Sequence, residues 1–438
     1  MTDLHTKKHL SFSSLRKSMS EHFHTLEDGR QDGKVDHSLH DCCMSAFAMM
    51  FFQDPSMLEF QRRLQHLQHS NNLKTIFNVE SIPKSTQLKE VMDLVSSEEI
   101  EPLFHEFFKR LQRGKHLEQF QYLDGKYIVA IDGTQYFESE SISCPCCLKK
   151  TFKNGNTLYY HQVVAATIVR PDARQVIPLA PEPIKNIDGS SKQDCERNAG
   201  KRLIKKIRAT HPKLGIIITG DDLYANSPFI KDLKNQRMSY IFVAKPGDHK
   251  FMFECLADFE EFGDIRQLSF QDEKGKTHIY KWINGVPLNK TQEKEDFVNY
   301  FEYTIMNNDK RNYHCSWVTD MDISENNVKK LVKAGRSKWK IENEAFNTLK
   351  NQGYHMEHNF GHGEKNLSYN LLLLNFLAFY IHQILELTDK LYQACRATCS
   401  AKKEYWNTLR SVIKIIIFQS FEHMLSFIIA TPDDPSPP

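Results

Sequence analysis

Two apolar runs that each stop at an aspartate constrain what this chain can fold into more than anything else in it. Tyr127-Ile128-Val129-Ala130-Ile131 is a β-branched run, entered through the turn Asp124-Gly125 and followed by Asp132-Gly133-Thr134. That pattern predicts a strand with Asp132 at its end. Leu214-Gly215-Ile216-Ile217-Ile218-Thr219 is apolar on both faces and closes on Gly220-Asp221-Asp222, which predicts a central strand covered on both sides. A helix should follow, with Ser227 as its cap, Pro228 at its first position and Ile230 and Leu233 on its buried side. Carboxylates at the carboxyl ends of strands are where open α/β sheets place ligands. An Asp-Gly pair alone reads equally well as an ordinary turn, as Asp124-Gly125 does.

A third acid is singled out by helical periodicity. Val328, Leu331, Val332, Trp339, Phe346 and Leu349 recur at three- and four-residue steps, and Gly335 and Glu342 complete the stripe. The spacing predicts one helix over 328–350 with Glu342 turned toward the core. Glu344 falls instead on a solvated face with Ser337, Lys340 and Thr348. A carboxylate on an apolar stripe needs a cation or a metal. Lys338 and Lys350 share its face and offer the plainer solution, an ion pair.

At 438 residues the chain can hold two or three domains, and its net charge of +2 gives no global signature of a nucleic-acid binder. The basic residues are bunched, however. Lys201, Arg202, Lys205 and Arg208 share one helix, and Lys329, Lys330, Lys333, Arg336, Lys338 and Lys340 crowd the approach to Glu342. The first group fits a solvated face as well as a binding one; the second, beside an acidic cluster, favours phosphate. The polar, Lys- and His-containing amino terminus is unlike a secretory signal, so the chain is expected in the cytoplasm. Leu371–Leu387 and Val412–Ala430 are apolar but interrupted by polar residues, and read as buried helices with no membrane partner. Ten cysteines in such a chain do not suggest disulfides. Cys144 and Cys147 have the gap with which two thiolates grip zinc, and His161 follows, but no second pair stands at finger spacing; a metal-free loop is the preferred reading.

Along the chain, 1–118 reads as helical and 119–249 as strand-rich and then alternating. Strands are expected at Tyr127–Ile131, Leu158–Val169, Gln175–Leu179, Leu214–Thr219 and Tyr240–Ala244. Residues 250–320 suggest a small antiparallel unit, with runs at Ile265–Gln271, His278–Ile283 and Tyr300–Met306. Residues 321–390 return to helix, and 391–438 hold C-terminal helices and a Pro-rich tail from Thr431 that should be disordered. His358 and His362 stand four apart in a glycine-broken loop, which argues against a helical metal pair.

The blocks Val129-Ala130-Ile131-Asp132-Gly133-Thr134, Gly220-Asp221-Asp222-Leu223-Tyr224-Ala225-Asn226 and Lys338-Trp339-Lys340-Ile341-Glu342-Asn343 together resemble the three catalytic blocks of DDE transposases from bacterial insertion sequences. The resemblance spans about residues 120 to 390. It implies an α/β fold: a ribonuclease-H-like mixed sheet with flanking helices, a β-rich insertion at 250–320 ahead of the catalytic glutamate, and an α-helical N-terminal region that holds the transposon end. It implies DNA cleavage and strand transfer with two Mg²⁺ (or Mn²⁺) ions on Asp132, Asp221 and Glu342. The partners would be the terminal inverted repeats and target DNA, bound by a homodimer at the nucleoid. Lys338, Lys350, Lys245, Arg336 and Lys340 would contact DNA, and Trp282, with Trp317 behind it, is the insertion tryptophan that could stack on a flipped base. Asp221 is preferred over Asp222 on the block Asp-x-Leu-Tyr. The family's Tyr-x2-Arg-x3-Glu-x6-Lys pattern is incomplete: Gly335 stands at the Tyr position, Lys338 replaces Arg, and Lys350 comes one residue late. A nuclease without strand transfer, and a silent DNA-binding descendant, are the rival readings.

Overall fold

The computed structural model describes residues 8–31, 33, 35–65, 72–185, 193–290, 297–307 and 310–430; the tail from Thr431 lies outside them. Helices come first: α1 (Phe12–His24), α2 (Leu39–Phe51), α3 (Met57–Gln65), α4 (Asn72–Phe77), α5 (Ser85–Leu94) and α6 (Pro102–Arg113). Ser11 and Ser38 cap the first two by accepting the backbone N–H three residues on, as N-cap hydroxyls do. In α2 every residue from His40 to Phe51 is buried, so it is a core helix with no solvated face.

Five strands follow: β1 (Tyr127–Ser139), β2 (Leu148–Thr151), β3 (Thr157–Val169), β4 (Ile177–Pro178) and β5 (Glu182–Ile184). Then come α7 (Glu196–Thr210), β6 (Ile216–Gly220), α8 (Ser227–Asn235), β7 (Ser239–Val243) and α9 (Lys250–Glu261). Asn226, rather than Ser227, caps α8, its side chain accepting from the N–H of Phe229 at 3.1 Å. The antiparallel unit is β8 (Arg266–Gln271), β9 (Thr277–Pro287), β10 (Phe297–Asn307) and β11 (Lys310–Thr319). Among the described residues all strands belong to one eleven-stranded sheet ordered β2-β3-β1-β6-β7-β11-β10-β9-β8, with β4 and β5 on β3. β1, β6 and β7 run parallel to one another, while β3 is antiparallel to β1. That is the ribonuclease-H-like order, and helices flank it. The insertion is continuous with the core sheet, because β11 pairs antiparallel with β7.

β1 does not stop at Asp132, as its sequence suggests, but runs on to Ser139. Its parallel pairing with β6 ends at Ala130 opposite Thr219. The antiparallel ladder with β3 continues, setting Asp132 opposite Ala165 and Gly133 opposite Val164. One edge of the strand thus sustains it while the other opens beside Asp132.

After β11 the chain forms α10 (Val328–Arg336), a π-helical turn (Ile341–Phe346), α11 (Asn347–Asn351), α12 (Leu367–Thr388), α13 (Lys390–Ala397), α14 (Lys402–Val412) and α15 (Phe421–Ile429). α12 is long and apolar enough to span a membrane, but it is buried from Tyr369 to Leu385 inside the protein. Its polar residues act as internal connectors. Asn370 donates to the carbonyls of Met92 and Val95 (2.9 and 2.8 Å), Asn375 donates to that of Tyr354 (2.8 Å), and Gln383 accepts from the N–H of Val176 (3.0 Å). The expected helix over Val412–Ala430 is instead broken, with Ile415 76% exposed. Asn72 fills the break, donating to the carbonyls of Ile413 and Ile416 and accepting from the N–H of Phe418. α1–α6, α12 and the C-terminal helices share one hydrophobic core with the sheet.

Asp93 fastens the start of α12. Its carboxylate accepts the backbone N–H groups of Glu364, Lys365, Asn366 and Leu367 at 2.8–3.0 Å. Burial opposes ionisation there, but those four donors hold the carboxyl below its ordinary value. A depressed carboxylate contributes stability that is complete above the ordinary range, about pH 4, and is lost as pH falls. Asp93→Ala should cost about 1–2 kcal/mol by urea denaturation at pH 7, and the gap to wild type should shrink toward pH 3.

Candidate active site

The three predicted acids meet on one cation. The Nζ of Lys338 lies 3.2 Å from Asp132 Oδ2 and 3.0 Å from Asp221 Oδ1, and also bonds Glu342 Oε1. Asp132 comes from the open edge of β1, Asp221 follows β6, Lys338 stands between α10 and the π-turn, and Glu342 is the second residue of that turn. The lysine is 9% exposed and Glu342 51%, so the cluster is covered on the sheet side and open on the helix side.

The electrostatics follow from that packing. Burial, the largest influence, pushes Asp132 up to about 7 against the pull of Lys338, and Asp221 and Glu342 add to the rise. Burial alone would lower Lys338, but its bond to Glu342 and the charges of Asp132 and Asp221 raise it above its ordinary value. Its ammonium supplies the positive charge that three convergent carboxylates require. Carboxylate oxygens are hard donors suited to a divalent cation such as Mg²⁺, and the set fits one wherever ion charge replaces that of Lys338.

The two neighbouring aspartates separate by partner. Asp221 reaches Lys338, whereas Asp222 pairs with Lys245 at 2.5 Å. Burial would raise Asp222, but the bond to Lys245 keeps it below its ordinary value.

The helical phase predicted for Glu342 is corrected. The α-helix ends at Arg336, and the chain resumes as a π-turn over Ile341–Phe346, in which each turn holds an extra residue. Glu342 and Trp339, both assigned to the core stripe, therefore lie on the exposed side with Lys329, Lys333 and Arg336. Trp339 is 47% exposed. Ser337, Lys340 and Thr348, assigned to solvent, are buried. Lys340 spends its ammonium on the carbonyl of Ala173 at 2.7 Å. Glu344 faces a separate hollow lined by Arg174, Gln383 and Arg396.

The remaining candidates are dispersed. Lys350 pairs with Glu357 at 2.8 Å, and Arg336 lies over the rings of Tyr313 and Tyr303 on the β10–β11 hairpin. Trp282 is buried in β9, opposite Phe301 and Arg266, and offers no free ring face to a base. Among the bunched cations of α7, Lys201 pairs with Asp232, Arg202 with Glu182 and Asp194, and Arg208 donates to carbonyls that include Gln236 and Leu214. Cys144 and Cys147 stand apart from the acids, their sulfurs 3.7 Å from each other.

Glu196 went unrecognised in the sequence because no motif surrounds it. It opens α7 and accepts from the hydroxyl of Tyr224 at 2.9 Å. A Cβ on Gly133 would stand 2.3 Å from its Oε2, so the glycine after Asp132 makes room for a fourth carboxylate. Gly335 has a similar explanation. A Cβ there would lie 2.7 Å from Nε1 of Trp317, so the indole occupies the space into which the family's tyrosine would project.

With this geometry in place, residues 124–380 match the family described as Transposase DDE domain, more than half of the chain. The chain belongs to the DDE-domain transposases. No curated protein matches it.

Two outcomes follow. Gly335→Ala should lower stability by about 1–3 kcal/mol in chemical denaturation through overpacking on Trp317, and Trp317→Phe should relieve part of that loss. Asp132, with its folded value raised above the unfolded one of about 3.9, contributes stability that is complete at low pH and lost as pH rises through about 7. The metal-free wild type should therefore lose Tm relative to Asp132→Asn across that window. A flat difference from about pH 4 to pH 8 would contradict the raised value.

Proposed function

We propose that this transposase cleaves DNA at the ends of a mobile element and joins the freed 3′-hydroxyl to target DNA. The observation that carries the reading is the convergence of Asp132, Asp221 and Glu342, from three separate elements, on the ammonium of Lys338. The three acids would hold a pair of Mg²⁺ or Mn²⁺ ions, which supply activation of the attacking oxygen and stabilisation of the leaving 3′-oxygen.

The chain's own residues perform the rest. Asp132 and Asp221 are fixed by the sheet, so their spacing does not depend on the ligand. Glu342 is the exposed member, half-open to solvent on the side that DNA would approach. Lys338 neutralises the acids in the metal-free protein, and where bound cations replaced its charge there its ammonium would be available to the scissile phosphate as a point charge. Lys329, Lys330, Lys333 and Arg336 share the exposed side of α10 and would track the DNA backbone, while Lys245 borders Asp222. Trp339, and not the buried Trp282, has the exposure to stack on an unpaired base. The partners would be terminal inverted repeats held by the N-terminal helices, and a second copy of the chain, in the cytoplasm at the nucleoid.

The test is cleavage and joining of DNA that carries the flanking inverted repeats, with Mg²⁺. Asp132→Ala and Glu342→Ala should each lose more than about 100-fold in cleavage, beyond the usual cost of losing a mere supporting residue at a metal site, and Glu344→Ala should retain activity. Equal cleavage by wild type and both variants would sink the reading. Cleavage without joining would identify a nuclease, and an inert wild type that still binds the repeats a silent descendant.

A further inference from the structure

We propose a structural zinc site, separate from the acids, formed by Cys144, Cys147, His161 and His362. The four come from three places in the chain: the loop between β1 and β2, strand β3, and the loop that leads into α12. Their donor atoms all lie within 4.8 Å of one another.

Five of the six separations match one tetrahedral ion, and the sixth, between Cys144 Sγ and His362 Nε2, lies within 4.8 Å. With Zn–S bonds of about 2.3 Å and Zn–N bonds of about 2.0–2.1 Å, a tetrahedron has edges of about 3.8 Å for S–S, 3.5 Å for S–N and 3.3 Å for N–N. The sulfurs of Cys144 and Cys147 are 3.7 Å apart, and His161 Nε2 lies 3.6 and 3.5 Å from them. His362 Nε2 lies 3.4 Å from the sulfur of Cys147 and 3.1 Å from His161 Nε2. Thiol-to-imidazole hydrogen bonds would satisfy these groups two by two, but they do not require all four ligand atoms to converge on one centre, as a shared ion does.

The surroundings orient the ligands. His362 donates from Nδ1 to the carbonyl of Gly363 at 2.8 Å, which leaves Nε2 unprotonated and aimed at the other three. The N–H of Cys144 points at the sulfur of Cys147 at 3.4 Å, a contact that steadies a thiolate. The rings of Phe137 and Tyr136 enclose the two imidazoles. Two thiolates and two imidazoles in a tetrahedron select zinc over Mg²⁺. Four protein ligands leave no open position, so the site is structural and does not activate water.

The sequence conceals this site because its second pair is supplied by the fold. Cys147 and His362 are 215 residues apart. Bound zinc would clamp the strand layer that carries Asp132 to the segment following Glu342, on the same loop that Asp93 fastens from the N-terminal helices.

Full-length protein purified without chelator and extensively dialysed should contain one zinc per chain by mass spectrometry. Cys147→Ser and His362→Ala should lose it, and Cys146→Ser, altered in the same loop, should keep it. The depleted variants should melt about 5–10 °C lower. If they do not fold, the wild type decides: Co²⁺ exchanged into it should give the thiolate charge-transfer band and intense visible bands of a tetrahedral site. Zinc-free wild type that takes up no Co²⁺, zinc retained by Cys147→Ser, or a Cys144–Cys147 disulfide in protein from reducing cells would each overturn the proposal.

Discussion

Three carboxylates brought together at the margin of a sheet would repel one another apart without a counter-charge, and Lys338 supplies it. Its ammonium is nearly buried and reaches Asp132, Asp221 and Glu342 at once. The residues that hold the acids in place also hold this lysine. β1 and β6 deliver the aspartates, and the turn after α10 sets lysine and glutamate one step apart along the helix. A buried cation of this kind costs desolvation, recovered only by the charges around it. The cluster thereby joins one buried cation to three acids, of which burial holds Asp132 toward its neutral form.

Much of this was legible in residue order. The runs ahead of Asp132 and Asp221 announce buried strands through their β-branched composition, and the three blocks together point to the family. Asp221 and Asp222 were not separable from the local sequence; the distinction lies in Lys245, which occupies one and leaves the other to Lys338. Glu342 was chosen over Glu344 by an argument from burial, yet it is half-exposed. The choice depended on a uniform helical phase that the break after Arg336 removes. Strand β11 escaped notice because it begins Lys310-Arg311-Asn312, a polar start that carries no alternation. Only its apolar end, Trp317–Thr319, joins the core sheet.

Substituted positions are explained by what fills their space. The tyrosine absent at Gly335 is answered by Trp317 from β11, which brings its indole to the same place from the opposite side. The strand insertion is therefore more than an appendage, since it supplies packing under α10, the helix that leads into Lys338. Arg336, lying on Tyr303 and Tyr313, adds a second tie between that helix and the hairpin. In the same way α12, apolar enough to be taken for a membrane span, spends its few polar side chains on the carbonyls and amides of neighbouring segments.

The π-turn over Ile341–Phe346 also bears on how such chains are compared. A turn that absorbs one more residue than an α-helical one lets the peptide lengthen by a single position while Lys350 stays two turns beyond Glu342. Counted in turns, Lys350 stands where one residue fewer would fall in an unbroken α-helix, although its ammonium is paired with Glu357. The π-turn thus takes up a residue locally and hands the chain to α11 without a break.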